Sequence, residues 1–594
     1  MDEANKRRSW ESASRSSGVL RGVGIFLLYL GVTLGVVWPT GFRLSSQALG
    51  DPANDLWNHL WGYWWVRDAL LHHGTFPIST ELLNHPRGGT LFFIDLSNAL
   101  FSLPLQLMFG LVASYNLTLI LHLTLNAVGA WFLAHHLTRN PYASFVAGII
   151  YGYSPHLLAQ VYNGISETIN AGWLPIFLLF YLKTFHEVRW RNAIWAGFLL
   201  FMTTFSNWYY GLFALLTVGV HLLTQLLSNG RRLLASGLLA RLGVLGVTYA
   251  LCIAPLMLLF AYTLNAADAI VGRDPEFVYQ TLIRHNMTDL LIFFHPGYFY
   301  SPDLKALYGE DLIIVAYLGY SVLALAALPF LQRRAREVKL WAVLFGVFFI
   351  FSLGPFLYVN GHYVQLGERW IPLPFLAFFH AFPLFSRISH AFRFVVMATL
   401  ALAMLAAWGL KGVQGRPGRR LSALLLTGAL SAVIMGEYLL ASPAKWPIPS
   451  SAVELPRYYS VLAEEPGDFA VLDLPIGVPT LQRAIYTYGQ TVHHKRVPYG
   501  LNDPFPQTLT ANRFISLVVN LEFLNMNRLP PALPDLEILA GLEQLKAQNY
   551  RYILVHDELF VTPEQSGRIN QVLRWYLGTP ERYPEDNLSV YRLE

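Results

Sequence analysis

The apolar and polar positions of this chain follow two different rhythms. Between residues 18 and 441, apolar runs of about 15 to 27 residues are separated by polar connections, some short and some long, and beyond residue 441 the runs shrink to strand length. The long runs fall near residues 18–40, 115–138, 142–158, 171–185, 191–206, 208–228, 236–262, 312–331, 340–358, 391–410 and 421–441. A bilayer's hydrocarbon core takes about 20 apolar residues as a helix, so each run reads as a membrane span, the shorter ones tilted, kinked or merged. The apolar run from about 96 to 112 reads instead as a helix lying in the interface.

Charge decides between eleven spans and twelve. With 96–112 kept out of the membrane, Lys6, Arg7 and Arg8, the loop with Lys183, Arg189 and Arg191, the pair Arg231 and Arg232, and the clusters Arg333 to Lys339 and Lys411 to Arg420 all share one side. Basic residues in short loops mark the cytoplasmic side. Counting 96–112 as a span moves the Lys183 loop outside, so the charge rule favours eleven. The opposite face then carries the long loops, at residues 41–114, 159–170, 263–311 and 359–390. Composition agrees: 54% of residues are hydrophobic, 13% are charged and the mean hydropathy is +0.39. The net charge of +5 is therefore an orientation signal, and no basic-aromatic module points to a nucleic-acid partner. Residues 18–40 are too long for a signal-peptide core and lack a small-residue cleavage site, so they read as a retained first span. The single cysteine, Cys252, excludes an internal disulfide framework.

From Ala441 the chain becomes Pro-rich (SPAKWPIPSS) and no further span follows. Residues 1–441 thus form the transmembrane module, and residues 442–594 a soluble extracytoplasmic α/β domain. Its strands are expected at DFAVLDL and RYILVH. One helix is expected to start at Thr562, with Pro563 in its first turn and Gln565 completing a capping box.

Candidate chemistry concentrates on the outer face. The first outer loop reads GDPANDLWNHLWGYWW and later HPRGG, which brings Asp51, Asp55, His59, His85, Arg87 and, further on, Asp95. The spacing of Trp57, Trp61, Trp64, Trp65 and Asp68 predicts an interfacial helix with its Trp rings at headgroup depth and Asp55 at its N-terminus. Glu167, in NGISETIN, is the acidic residue of the second outer loop. His295 in FFHPGYF and Arg387 and Arg393 in FSRISHAFRF supply cationic candidates on the same side. Each has a plainer reading: Asp55 as a helix cap, Asp51 in a turn, Glu167 solvated, the arginines reaching to headgroups. Their company on one face favours a pocket in which carboxylates sit beside a basic or metal centre, as sugar or phosphate chemistry requires. The adjacent pairs His72-His73, His135-His136 and His493-His494 point apart along a helix or strand and show no metal-clip partners.

A span, an acidic loop with an interfacial helix, a Pro/Gly turn, a second interfacial helix, two spans and another acidic residue together resemble the plan of the GT-C superfamily of integral-membrane glycosyltransferases. That superfamily includes protein O-mannosyltransferases, lipid A aminoarabinose transferases and the oligosaccharyltransferase catalytic subunit. The resemblance covers roughly residues 18–230. It implies an inverting transfer of sugar from a polyprenyl-phosphate-linked donor to a glycan, lipid or protein acceptor, with the lipid tail lying between spans in the plasma membrane. On it, Asp55 or Asp51 is the base, and Arg87, His295, Arg387 and Arg393, with His59 and His85, contact the substrate and its phosphate. Glu167 takes the second acidic position, and a divalent cation, Mg or Mn, would be held by Asp51, Asp55 and Glu167. The chain departs from the plan in lacking an Asp-Glu pair in the first loop and in using Glu in the second. Two other classes share the architecture: a lipid or glycan transporter or flippase, and a non-catalytic scaffold of the same fold. The spans are mostly clean, whereas transporters place ionisable groups near the midplane.

Overall fold

The computed structural model describes residues 20–91, 95–235, 237–266, 268, 275–296, 314–414, 420–441, 446–478, 480–501, 507–523 and 535–593. Lys6, Arg7 and Arg8, residues 269–274 and 297–311 of the third outer loop, and the 442–445 junction lie outside them.

Helices occupy most of the expected apolar runs, although the run at 312–331 is helical only over Tyr320–Leu331. In chain order they are α1 (Leu20–Val36), α2 (Leu56–Leu71), α3 (Leu96–Phe109), α4 (Leu111–Thr138), α5 (Pro141–Gly152), α6 (Pro155–Tyr162), α7 (Ser166–Ile169), α8 (Trp173–His186), α9 (Trp190–Ser206), α10 (Trp208–Ala235) and α11 (Leu238–Asn265). They continue as α12 (Tyr320–Leu331), α13 (Ala335–Ser352), α14 (Val395–Gln414) and α15 (Arg420–Gly436). Among the described residues, five stretches are long and apolar enough to cross a membrane: Leu111–Thr138, Trp208–Ser228, Leu238–Thr263, Ala391–Gly412 and Arg420–Ala441. The first and fourth are the central ones, 78% and 94% buried, whereas Trp208–Ser228 and Leu238–Thr263 are only 28% and 11% buried and present their apolar side chains outward. An apolar helix surface left open by the protein suits contact with lipid or with another protein.

One expected span divides. The run at 142–158 is two helices, α5 and α6, because Pro155 has no amide hydrogen to continue the ladder and instead starts the second helix at its first turn. The C-terminal helix of this pair runs into the second outer loop and ends at Asn163, beside the first outer loop.

The C-terminal residues build a four-stranded sheet. A first strand, β1 (Gln47–Leu49) of the outer loop, pairs antiparallel with β2 (Ser450–Ala452). Beyond it, β3 (Ala470–Leu474), β4 (Tyr550–His556), β5 (Glu581–Tyr583) and β6 (Leu588–Arg592) form a sheet of order β5-β6-β4-β3, in which β3 and β4 are parallel. Both strands expected from DFAVLDL and RYILVH are present, and the Thr562–Gln565 capping box forms as predicted at the start of helix Pro563–Leu577.

The Trp-rich face of α2 is placed differently from the expectation. Trp61, Trp64 and Trp65 are buried in one apolar cluster with Leu472, Tyr486 and Val497 of the C-terminal segment. Trp61 Nε1 donates to Gln490 Oε1 at 2.7 Å, and Trp57 stacks on Tyr488 at 4.9 Å. Aromatic rings with one polar atom suit a lipid interface and a protein interface equally well. Here the C-terminal segment covers them, so they hold two parts of the chain together instead of lying among headgroups.

Candidate active site

The first and second outer loops meet at a backbone contact that only small residues allow. Asp51 N donates to Tyr162 O at 2.8 Å and Asp55 N to Asn163 O at 3.2 Å. Gly164 (φ +70°) lies so near the start of α2 that a Cβ there would come within 2.8 Å of the Leu56 Cα, and Gly50 faces Gly164 from the first loop. Glycine meets both demands, a left-handed backbone and no side chain. This approach brings the start of α2 against α7.

Three ionisable side chains converge at the junction. His59, one turn into α2, Asp95, at the N-cap of α3, and Glu167, in α7, are all buried, with ligating atoms that lie within 4.8 Å of one another. His59 Nε2 is 3.2 Å from Glu167 Oε2, and His59 Nδ1 is 3.8 Å from Asp95 Oδ2. A polar frame surrounds them. Ser166 Oγ donates to Asp95 Oδ2 and lies 3.0 Å from His59 Nδ1. Asn98 Nδ2 donates to Asp95 Oδ2 at 2.9 Å and to Ser166 O at 3.0 Å, and its Oδ1 accepts from Asn170 at 3.0 Å. Burial pushes the Asp95 carboxyl up to about 6, against the pull of His59 and of the hydrogen bonds from Ser166 and Asn98. Burial also holds the His59 imidazole below its ordinary value, outweighing the nearby Asp95 and Asp55 carboxylates. One imidazole and two carboxylates on three separate elements make a donor set for a divalent cation, and the imidazole suits Mn or Zn better than Mg.

The triad opens onto a cavity of about 310 Å³ whose lining comes from three sources. Asp55, Asn58 and the triad form the acidic part. Arg387, His390 and Arg393 form the basic part. The remainder is largely apolar, with Phe205 and Trp208 at the α9–α10 break and Leu256, Leu259, Phe260 and Thr263 on α11, the most outward-facing of the long helices. Arg393 packs over the Tyr209 ring at 5.1 Å, and its Nε is buried without a hydrogen-bond partner among the described residues.

The other anticipated residues fall in distinct places. Asp55 is the N-cap residue of α2, yet its side chain makes no capping hydrogen bond; it accepts from Asn58 Nδ2 at 3.3 Å and lines the cavity. Asp51 holds a turn instead, accepting from Ala53 N at 2.9 Å and Tyr162 Oη at 3.1 Å, away from the cavity lining. Of the three carboxylates expected to share a metal, only Glu167 belongs to the close triad, and His59 and Asp95 complete it. His85 is turned to the C-terminal segment, with Nε2 2.6 Å from Gln548 O and its ring edge-on to Tyr550. Arg87 and His295 are exposed and do not line the cavity, whereas Arg387 and Arg393 do. The sequence groups Asp95 with the acids of this face but assigns it no role, and Ser166, Asn98 and His390 escape it altogether. Only Asp95 had a local signature, an acidic residue immediately before an apolar helix with Asn three positions on.

The chain superposes on the apo Archaeoglobus fulgidus oligosaccharyltransferase with a TM-score of 0.51 at 12% identity, over 91% of this chain and 70% of that one. It superposes on the mycobacterial arabinofuranosyltransferase AftD with a TM-score of 0.53 at 15% identity, over 96% of this chain and 40% of that one. ArnT from Cupriavidus metallidurans, in the apo state, aligns over 98% of both chains at 13% identity with a TM-score of 0.45. No family model matches the chain, and no curated protein matches its sequence.

Proposed function

From the fold this chain shares with the GT-C glycosyltransferases, we propose that it is a membrane glycosyltransferase. It moves a sugar from a polyprenyl-phosphate-linked donor to a glycan, lipid or protein acceptor at the outer face of the plasma membrane. The observation that carries the proposal is the single cavity in which carboxylates, arginines and an outward-facing apolar helix meet. A lipid-linked sugar phosphate has three matching parts: a polar ring, an anion and a hydrocarbon tail.

In this reading Asp55 takes the proton of the acceptor hydroxyl, whose oxygen attacks the anomeric carbon from the face opposite the phosphate. The carbon–oxygen bond to phosphate breaks, the configuration inverts, and the lipid phosphate departs with the electron pair. Arg393 and Arg387 meet the negative charge that develops on it, in a partly buried setting where a guanidinium is worth more than in water. The apolar part of the cavity along α11 takes the first isoprene units. His59, Asp95 and Glu167 would hold a divalent cation, which when bound supplies further positive charge to the donor phosphate. The N-terminus is cytoplasmic, and residues 442–594 form an extracytoplasmic domain over the first outer loop, to which β2 is paired.

Purified protein in lipid nanodiscs, given a radiolabelled polyprenyl-phosphate sugar and membrane extract as acceptor, is expected to form labelled product that Asp55→Asn abolishes. Movement of labelled lipid across vesicles that is indifferent to Asp55→Asn, with no product formed, would replace the transferase by a transporter.

A further inference from the structure

Counting protons around His59 identifies which of its nitrogens is available. Ser166 Oγ carries one hydrogen, which it donates to Asp95 Oδ2. A serine hydroxyl has no second proton to give. Its contact with His59 Nδ1, at 3.0 Å, is therefore filled by the imidazole as donor, and the proton of the neutral ring sits on Nδ1. The lone pair is left on Nε2, the atom 3.2 Å from Glu167 Oε2. A lone pair and a carboxylate oxygen repel at that separation unless a proton or a metal ion joins them, and with the ring kept neutral by its burial the arrangement has the form of a metal-ligand pair. Orientation of a ligating histidine through its other ring nitrogen is how second neighbours of a metal act.

Ser166 is itself fixed at both ends. It is fully buried, and its carbonyl accepts from Asn98 Nδ2 at 3.0 Å while the same amide nitrogen holds Asp95. Gly164, two residues earlier, allows the loop carrying it to approach α2. The serine hydroxyl thus bridges an aspartate of the first outer loop and a histidine of α2, from a position next to the glutamate of the second loop.

We propose that Ser166 is a positioning residue that holds His59 as the Nδ1–H tautomer and thereby makes Nε2, together with Asp95 and Glu167, the nitrogen that binds a divalent cation. This inference rests on the cation site of the proposed transferase and deepens it. Ser166 touches neither donor nor acceptor, and the consequence of its loss is read in metal binding before any chemistry.

The test uses the full chain, stripped of metal in detergent and titrated with Mn2+ by electron paramagnetic resonance of the free ion. Wild type is expected to bind one equivalent, which His59→Ala removes. Ser166→Ala is expected to weaken that site by about 10- to 100-fold, while Ser166→Thr, which keeps the hydroxyl, stays within about 3-fold of wild type. A second readout is the imidazole nitrogen resonance of His59, taken as the difference between wild type and His59→Gln in metal-free protein. It is expected to report a proton on Nδ1 in wild type and a mixture of tautomers in Ser166→Ala. A merely structural serine would leave that resonance where it was. If Ser166→Ala binds Mn2+ as tightly as wild type, or leaves the tautomer unchanged, the role of Ser166 is wrong while the transferase reading stands. If wild type binds no Mn2+ that His59→Ala removes, the cation site falls instead.

Discussion

Two groups of imidazole and carboxylate sit on α2, nine residues apart. In one, His59 meets Asp95 and Glu167 from two other elements, and all three side chains are buried. In the other, Asp68 is buried but faces His72 Nδ1 at 2.6 Å and His73 Nε2 at 3.2 Å, on imidazoles 63% and 57% exposed at the C-terminal end of the same helix. The chemistry of the parts is nearly equal, yet among the described residues only the first group brings three ligand atoms within 4.8 Å of one another. The second is a local arrangement one turn long, whose imidazoles lie open to water, and such exposed pairs are worth little energetically. The first spans the chain from residue 59 to residue 167, and desolvation makes its electrostatics costly unless a cation joins it. Long-range convergence and burial, more than residue type, separate the candidate site from the decoration on the same helix.

The sharpest test of that contrast is substitution at each end of α2. His59→Ala or Glu167→Gln is expected to lower sugar transfer by about 10²- to 10⁴-fold, whereas Asp68→Asn or His72→Ala changes it less than about 2-fold, measured as initial rates with labelled donor. Equal losses at both ends would erase the distinction. A second comparison sets cavity-lining cations against exposed ones. Arg393→Ala is expected to cost about 10²- to 10³-fold in rate, and Arg87→Ala or His295→Ala to cost nothing measurable. Next in size is Gly164→Ala, whose Cβ would press on the backbone of Leu56 and displace Asp55 and His59 together. A loss of about 10-fold or more in rate, with the fold retained by circular dichroism, is expected from such a shift. The smallest effect asks whether burial alone makes a site. Glu522 is buried in the C-terminal segment, where its oxygens accept from Ile476 and Gly477 N–H, and burial pushes its carboxyl up to about 7 against those hydrogen bonds and Arg483. Because its folded value lies above the unfolded one near 4.5, the stability it contributes is complete in acid and is lost as pH rises from about 4.5 through about 7. Glu522→Gln is expected to flatten that part of the curve of melting temperature against pH by a few degrees, while transfer is unaffected.

Much of the scaffold was legible in the sequence because bilayer crossing leaves a long, one-dimensional signature. The runs at 115–138, 208–228 and 236–262 reappear as α4, α10 and α11, and the strands and capping box after residue 470 follow from alternation and cap chemistry. Asp55, Glu167, Arg387 and Arg393 could be nominated because charge at a membrane face is sparse. Their grouping could not, since it depends on how α3 and α7 approach α2, and neither Ser166 nor Asn98 differs locally from any polar residue in a turn or helix. The Trp face of α2 was misplaced for a related reason: amphipathic aromatics look the same whether they will meet lipid or a later part of the chain.

That later part comes very late. Trp61 finds its partner Gln490 a full 429 positions further along the chain, and at ordinary elongation rates that interval is about 20–90 s of synthesis. During it the indoles of α2 are uncovered, and β1 has no strand beside it. The packing around α2 is therefore completed only after residue 490 has been made, and a chain truncated before residue 450 would leave a Trp-rich helix bare for whatever assists protein assembly to recognise.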